Sequence, residues 1–101
     1  MKAIEICRAL EEWAPSSLAY AWDKPGLQIG DPDAEVSHAV VALTLTRAAH
    51  EKARAVGAQL LVLHHPPIWE PLAALRLDDP SVRLRVDLAH DGIACFAAHT
   101  N

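Results

Sequence analysis

The residues best suited to chemistry are histidines, and two of the six are adjacent. His64 and His65 close the apolar run 59–63 and are followed at once by Pro66 and Pro67. A buried strand gains nothing from paired imidazoles, whereas imidazole nitrogens suit zinc, iron, copper or nickel. The plainer reading is that a histidine at a strand end is a hydrogen-bonded surface residue, and spacing alone leaves both open. On a strand, adjacent side chains point to opposite faces. His64 and His65 would therefore hold two different ions side by side more easily than chelate one. Two such ions can together generate hydroxide and clamp a leaving oxygen. Pro66 and Pro67 would stiffen the chain where it leaves the strand.

A third histidine, His99, ends another apolar run at 93–98. On its own it reads as a polar strand-end residue. His38, His50 and His90 read as solvent-facing residues on a strand, a helix and a helix end. Trp13, Trp22 and Trp69 read as packing residues, and Asp23 in "AWDKPG" as a turn stabiliser. The loops that cradle nucleotide phosphates, G-x-x-x-x-G-K-[ST] and G-x-G-x-x-G, are absent, as is the G-x-S-x-G nucleophile turn. Cys7 and Cys95 sit in apolar segments, which argues against an activated thiolate.

These residues need elements to place them. Residues 2–14 form an amphipathic pattern with Ile4, Cys7 and Leu10 on one face, and Pro15 ends it. A loop-rich stretch follows, with Pro25-Gly26 suited to the centre of a type II turn. Residues 36–45 are β-branched and apolar, as a strand requires. Thr46 can cap a helix over 47–56 that stops at Gly57. Residues 59–63 read as a second strand covered on both faces. Asp79 can cap a helix that begins at Pro80, with Val82, Val86 and Ala89 inward and Gly92 as its end. Residues 93–98 form a third strand.

The order is α, then β-α-β-α-β. Helical crossovers imply parallel strands wound right-handed, so the class is α/β, a single domain over 1–101 with a mostly parallel sheet and flanking helices. Parallel strands would bring His64, His65 and His99 to the carboxyl edge of the sheet, where open α/β sheets place their sites.

Composition narrows the field. Apolar residues make up 51% of the chain, so a packed core is expected. The net charge is −4 with scattered basic residues, which speaks against a nucleic-acid polymer as partner. No apolar run nears the roughly 18 residues that span a bilayer, so no membrane is expected. The two cysteines are far apart and form no C-x-x-C pair, which fits a reduced cytoplasm.

Three stretches in order, "AWDKPGLQIG" (21–30), "LLVLHHPPIWEPL" (60–72) and "IACFAAHTN" (93–101), resemble the Nif-three-like family. Its members are also known as GTP cyclohydrolase 1 type 2 homologs and dinuclear metal-centre hexameric proteins. The resemblance covers essentially the whole chain. It implies two divalent ions (zinc, iron, manganese or nickel), with His64 and His65 each serving one. It further implies a metal-dependent hydrolase in which water is activated between the ions, a small-molecule substrate that the family description gives as GTP, and self-association into a hexamer. No catalytic residue is assigned. His99, Asp23 and Thr44 match positions near the site, and Trp22, Asp23 and Gly26 match a family loop of unassigned role.

Two departures stand out. Thr44 lies where many members carry Asp, in a pattern like Leu-Asp-x-Thr. Further family ligands, an Asp four residues past the position of His99 and a His-x-x-x-Glu pair, fall beyond Asn101. The chain thus reads as the N-terminal part of a longer architecture, with an incomplete site and the third strand at an open sheet edge. Beside the hydrolase stands a second class, a non-catalytic metal-binding assembly or regulatory protein, and a third outcome, an inactive truncated fragment.

Overall fold

The computed structural model describes all 101 residues. Helix α1 (Ala3–Trp13) is followed by a single 3-10 turn at Ser16–Leu18 and strand β1 (Gly26–Ile29). Then come β2 (Ala39–Ala42), α2 (Arg47–Val56), β3 (Leu60–Leu63), α3 (Pro80–His90) and β4 (Ala94–Ala97). The expected helix and strand alternation is present, and both crossover helices start at the expected caps. Thr46 accepts from the Ala49 N–H at 3.1 Å, and Asp79 accepts from the Ser81 N–H at 2.9 Å. Gly57 ends α2 in the left-handed region, which a glycine enters without a Cβ clash.

The sheet has four strands in the order β1-β4-β3-β2. β2, β3 and β4 are parallel, with Leu63 beside Ala42 on one flank and Ala97 on the other. Their carboxyl ends are therefore level. β1 runs antiparallel to β4, with Leu27 opposite Phe96. It corrects the reading of 93–98 as an open edge, because β4 is an inner strand and β1 and β2 are the edges. Four residues between Pro25 and Gly30 are too few to show strand periodicity, so the sequence pattern there is that of a loop. The bend expected at Pro25-Gly26 lies instead at Ala21-Trp22, and Gly26 opens β1. β2 is shorter than 36–45, since Val36 turns away to pack beside α1.

The sheet has a core on each face. Toward α2 and α3 lie Ile29, Leu45, Leu61, Leu63, Leu84, Leu88 and Cys95. Toward α1 lie Ala3, Cys7, Val36, Leu60, Ala94 and Phe96. Alternation along β3 and β4 feeds both, and each fully buried leucine contributes about 1.5–3 kcal/mol. The inner face of α3 is Val82, Leu84 and Leu88; Val86 is only partly buried and Ala89 is exposed. Turning the two leucines inward removes more apolar area from water than Val86 and Ala89 would.

Two further expectations are corrected. Trp13, Trp22 and Trp69 are 82%, 56% and 42% exposed and do not build the core. His50 is buried rather than solvent-facing, because Nε2 lies 2.7 Å from Asp91 Oδ2 and Nδ1 lies 3.2 Å from an Arg47 guanidinium nitrogen. No helix is long and apolar enough to cross a membrane.

Candidate metal centre

The level strand ends deliver three histidines to one place. His64 and His65 leave β3, and His99 follows β4 by two residues. One nitrogen from each lies within 4.8 Å of the other two. The ring centroids are 5.2 Å apart for His64 and His65, 5.0 Å for His64 and His99, and 5.7 Å for His65 and His99. His64 and His65 do not point to opposite faces of the sheet. β3 ends at Leu63, and the chain bends at both histidines, so strand alternation no longer governs them. Their backbone stays anchored: the His64 N–H donates to the Ala42 carbonyl at 3.3 Å and the His65 N–H to the Leu43 carbonyl at 2.9 Å.

Each candidate residue near the site has a defined place. Thr44, just past β2, sets its hydroxyl 2.8 Å from His65 Nδ1. Asp23 is no mere turn stabiliser: its side chain is fully buried and faces His99 Nδ1 at 3.0 Å. Oδ1 also accepts from the Lys24 N–H at 2.7 Å, and Oδ2 accepts from the Thr100 N–H at 2.8 Å and from the Thr100 hydroxyl. Burial opposes the charge of this carboxylate. The hydrogen bonds from Thr100, Lys24 and His99 outweigh it and hold the group well below the usual carboxylate range. With both oxygens occupied, Asp23 supports the site rather than offering a free ligand atom.

The loop after the histidines is pinned from two sides. Gln28 of β1 accepts from the Ile68 N–H at 2.7 Å and donates to the Ile68 carbonyl at 3.0 Å. Arg85 of α3 donates through Nε to the Pro67 carbonyl at 2.7 Å. Sequence reasoning missed Gln28 and Arg85, since neither has a spacing signal and each acts across more than 17 residues of chain. Trp22 and Trp69 rim the cluster, with ring centroids 6.2 Å and 6.1 Å from His99. Trp22 also stacks on Tyr20 at 5.5 Å.

Neither cysteine joins the site. Burial pushes the Cys95 thiol up to about 12 and raises Cys7 as well, so neither supplies a thiolate readily. The largest cavity, about 620 Å³, is lined by Leu72, Arg76, Asp78 and Val82, apart from the histidines. Chemically, three imidazoles at this separation can bind one divalent cation, the donor set of a three-histidine zinc site.

Known proteins share this fold. Residues 1–101 match the family described as Duf34/NIF3 (NGG1p interacting factor 3). The chain is 36% identical over its full length to a GTP cyclohydrolase 1 type 2 homolog from Lactococcus lactis, of which it spans 39%. It superposes on a Bacillus cereus protein related to NIF3 with a TM-score of 0.94 and 35% identity, covering 99% of this chain and 28% of that one. It also matches reduced HcgD from Methanocaldococcus jannaschii, with a TM-score of 0.83, 31% identity and 40% of that chain covered. The 101 residues therefore span well under half the length of these relatives.

Proposed function

Because the chain belongs to the DUF34/NIF3 family, we propose that His64, His65 and His99 bind a divalent metal and form part of the centre of a metal-dependent hydrolase. The observation that carries this reading is the convergence of three imidazole nitrogens within 4.8 Å at the carboxyl edge of the sheet. The residues fit the group: exposed His64 and His65 are open to solvent and substrate, while half-buried His99 is held from behind by Asp23. Imidazole donors accept zinc, iron, copper or nickel, and manganese would need oxygen ligands beside them, so the ion is fixed by availability as much as by geometry.

The reading includes a second ion beside the first. No free carboxylate joins the three imidazoles to complete it, since Asp23 is already saturated. The remaining ligands would come from the further length that the family's chains carry or from a second copy in a hexamer. Such ions supply Lewis acidity toward water and toward the leaving oxygen of a small-molecule substrate. The chain's own residues hold the donors in place through Asp23 and Thr44, and Trp22 and Trp69 narrow the approach to them.

The test is elemental analysis of protein purified without affinity tag or chelator, beside a His64→Ala, His65→Ala double variant. The expected result is about one ion or two per chain, lost in the variant. Equal metal in both proteins, or none in either, would overturn the assignment for this chain. Bound metal without turnover of nucleotides or phosphoesters would favour a non-catalytic assembly role over hydrolysis.

A further inference from the structure

We propose that Asp23 is a positioning residue that fixes the tautomer of His99, with the hydrogen on Nδ1 and the free lone pair on Nε2. The inference rests on the reading of His99 as a ligand only for its consequence, not for the tautomer itself.

An ionised carboxylate accepts hydrogen bonds and donates none. Asp23 Oδ1, 3.0 Å from His99 Nδ1, therefore requires that Nδ1 carry the hydrogen. The other partners of Asp23 leave it no freedom to turn away. The Lys24 N–H donates to Oδ1 at 2.7 Å and the Thr100 N–H to Oδ2 at 2.8 Å. The Thr100 hydroxyl is committed too, because its oxygen accepts from the Tyr20 N–H at 2.9 Å and its hydrogen goes to Asp23 Oδ2. The polar chain thus runs one way, from Tyr20 through Thr100 to Asp23, and meets the imidazole as an acceptor.

His99 is also held at its backbone. Its N–H donates to Asn101 Oδ1 at 2.9 Å, and the Asn101 amide donates to the Ala14 carbonyl at 2.6 Å. With ring and backbone fixed, Nε2 is the one nitrogen of His99 able to take a cation. A neutral imidazole without such a partner favours the hydrogen on Nε2, which would turn a donor toward the cation instead of a lone pair. Asparagine at position 23 cannot replace the carboxylate cleanly. Its NH₂ group must face either the Lys24 N–H with His99 Nδ1, or the Thr100 N–H with its hydroxyl.

The test is ¹⁵N NMR of the imidazole nitrogens in the 101-residue chain, metal-free and near pH 8, paired with cobalt titration. Wild type is expected to show His99 with protonated Nδ1 and bare Nε2. Asp23→Ala is expected to move His99 toward the Nε2–H form and to weaken cobalt binding by about 10- to 100-fold. Thr100→Val, which leaves the carboxylate beside Nδ1, is expected to keep the wild-type tautomer. A wild-type His99 with hydrogen on Nε2 overturns the proposal even if the Asp23 variant does not fold. So does an Asp23→Ala protein with unchanged tautomer. The wild-type tautomer as expected, with no cobalt bound, supports the positioning role and overturns the metal reading instead.

Discussion

The Thr44 hydroxyl oxygen lies 2.8 Å from Nδ1 of His65, so a residue two positions past β2 orients a ring that follows β3. If Thr44 accepts the hydrogen of Nδ1, Nε2 of His65 is left as the donor atom, and the ring is held for a cation. Thr44→Val keeps the shape and removes that acceptor. Partners of this kind are worth roughly 10- to 100-fold in metal affinity, and because His65 is exposed we expect the low end, about tenfold. Thr44→Asp supplies the carboxylate that the family resemblance places here, and should tighten binding relative to wild type. Zinc titration by competition with a chromophoric chelator reads both changes. Equal affinities in all three proteins would sink the role of Thr44.

His50 tests the opposite end of the sheet. Its ring is buried between α2 and the turn after α3, with Nε2 2.7 Å from Asp91 Oδ2. The Arg47 guanidinium donates to Nδ1, so the Nε2 hydrogen is directed at Asp91. Asp91→Ala leaves that buried N–H without its acceptor, which costs about 1–3 kcal/mol. His50→Leu removes the need for the acceptor and fills similar space, so it should cost less. The double variant should lose clearly less than the sum of the two single losses, a coupling that urea unfolding midpoints at constant slope would measure. Strict additivity would mean that the two side chains do not depend on each other.

The convergence of the histidines was legible in the sequence for a specific reason. His64-His65 and His99 each follow a short apolar run, and a helix pattern lies between them. Parallel strands then force both tips to the same edge. The supports of the site were not legible. Asp23 reaches His99 across 76 positions, and nothing in "AWDKPG" marks its carboxylate as buried. β1 was hidden because four residues cannot display an alternation. Alternation puts His64 and His65 on opposite faces only if it continues two residues past the end of β3, where the chain instead bends. His50 has charged sequence neighbours in Arg47, Glu51 and Lys52, and the partner that buries it, Asp91, comes from another element. Local pattern reports the faces of elements, whereas burial of a polar side chain depends on a partner far away in the chain.

Gly30 joins β1 to the rest of the sheet through a contact that no other residue can make. Its φ is +102°, and a Cβ added there would lie 2.6 Å from Ala94 Cα and 2.7 Å from Ala94 Cβ. Those atoms belong to an inner strand and cannot move aside without disturbing the β3–β4 ladder. Gly30→Ala therefore combines left-handed strain with overpacking against backbone, together about 2–4 kcal/mol. Gly57→Ala is the control, because its φ is +69° and a Cβ there meets nothing within 4 Å. It should carry the conformational cost alone, about 1–2 kcal/mol. Thermal unfolding of the two variants separates the contributions: a clearly lower Tm for Gly30→Ala is expected. Matching losses would show that β1 can peel away from Ala94 at little cost. The segment carrying Asp23, only a few residues before β1, would then lack the rigid seat that the site requires of it.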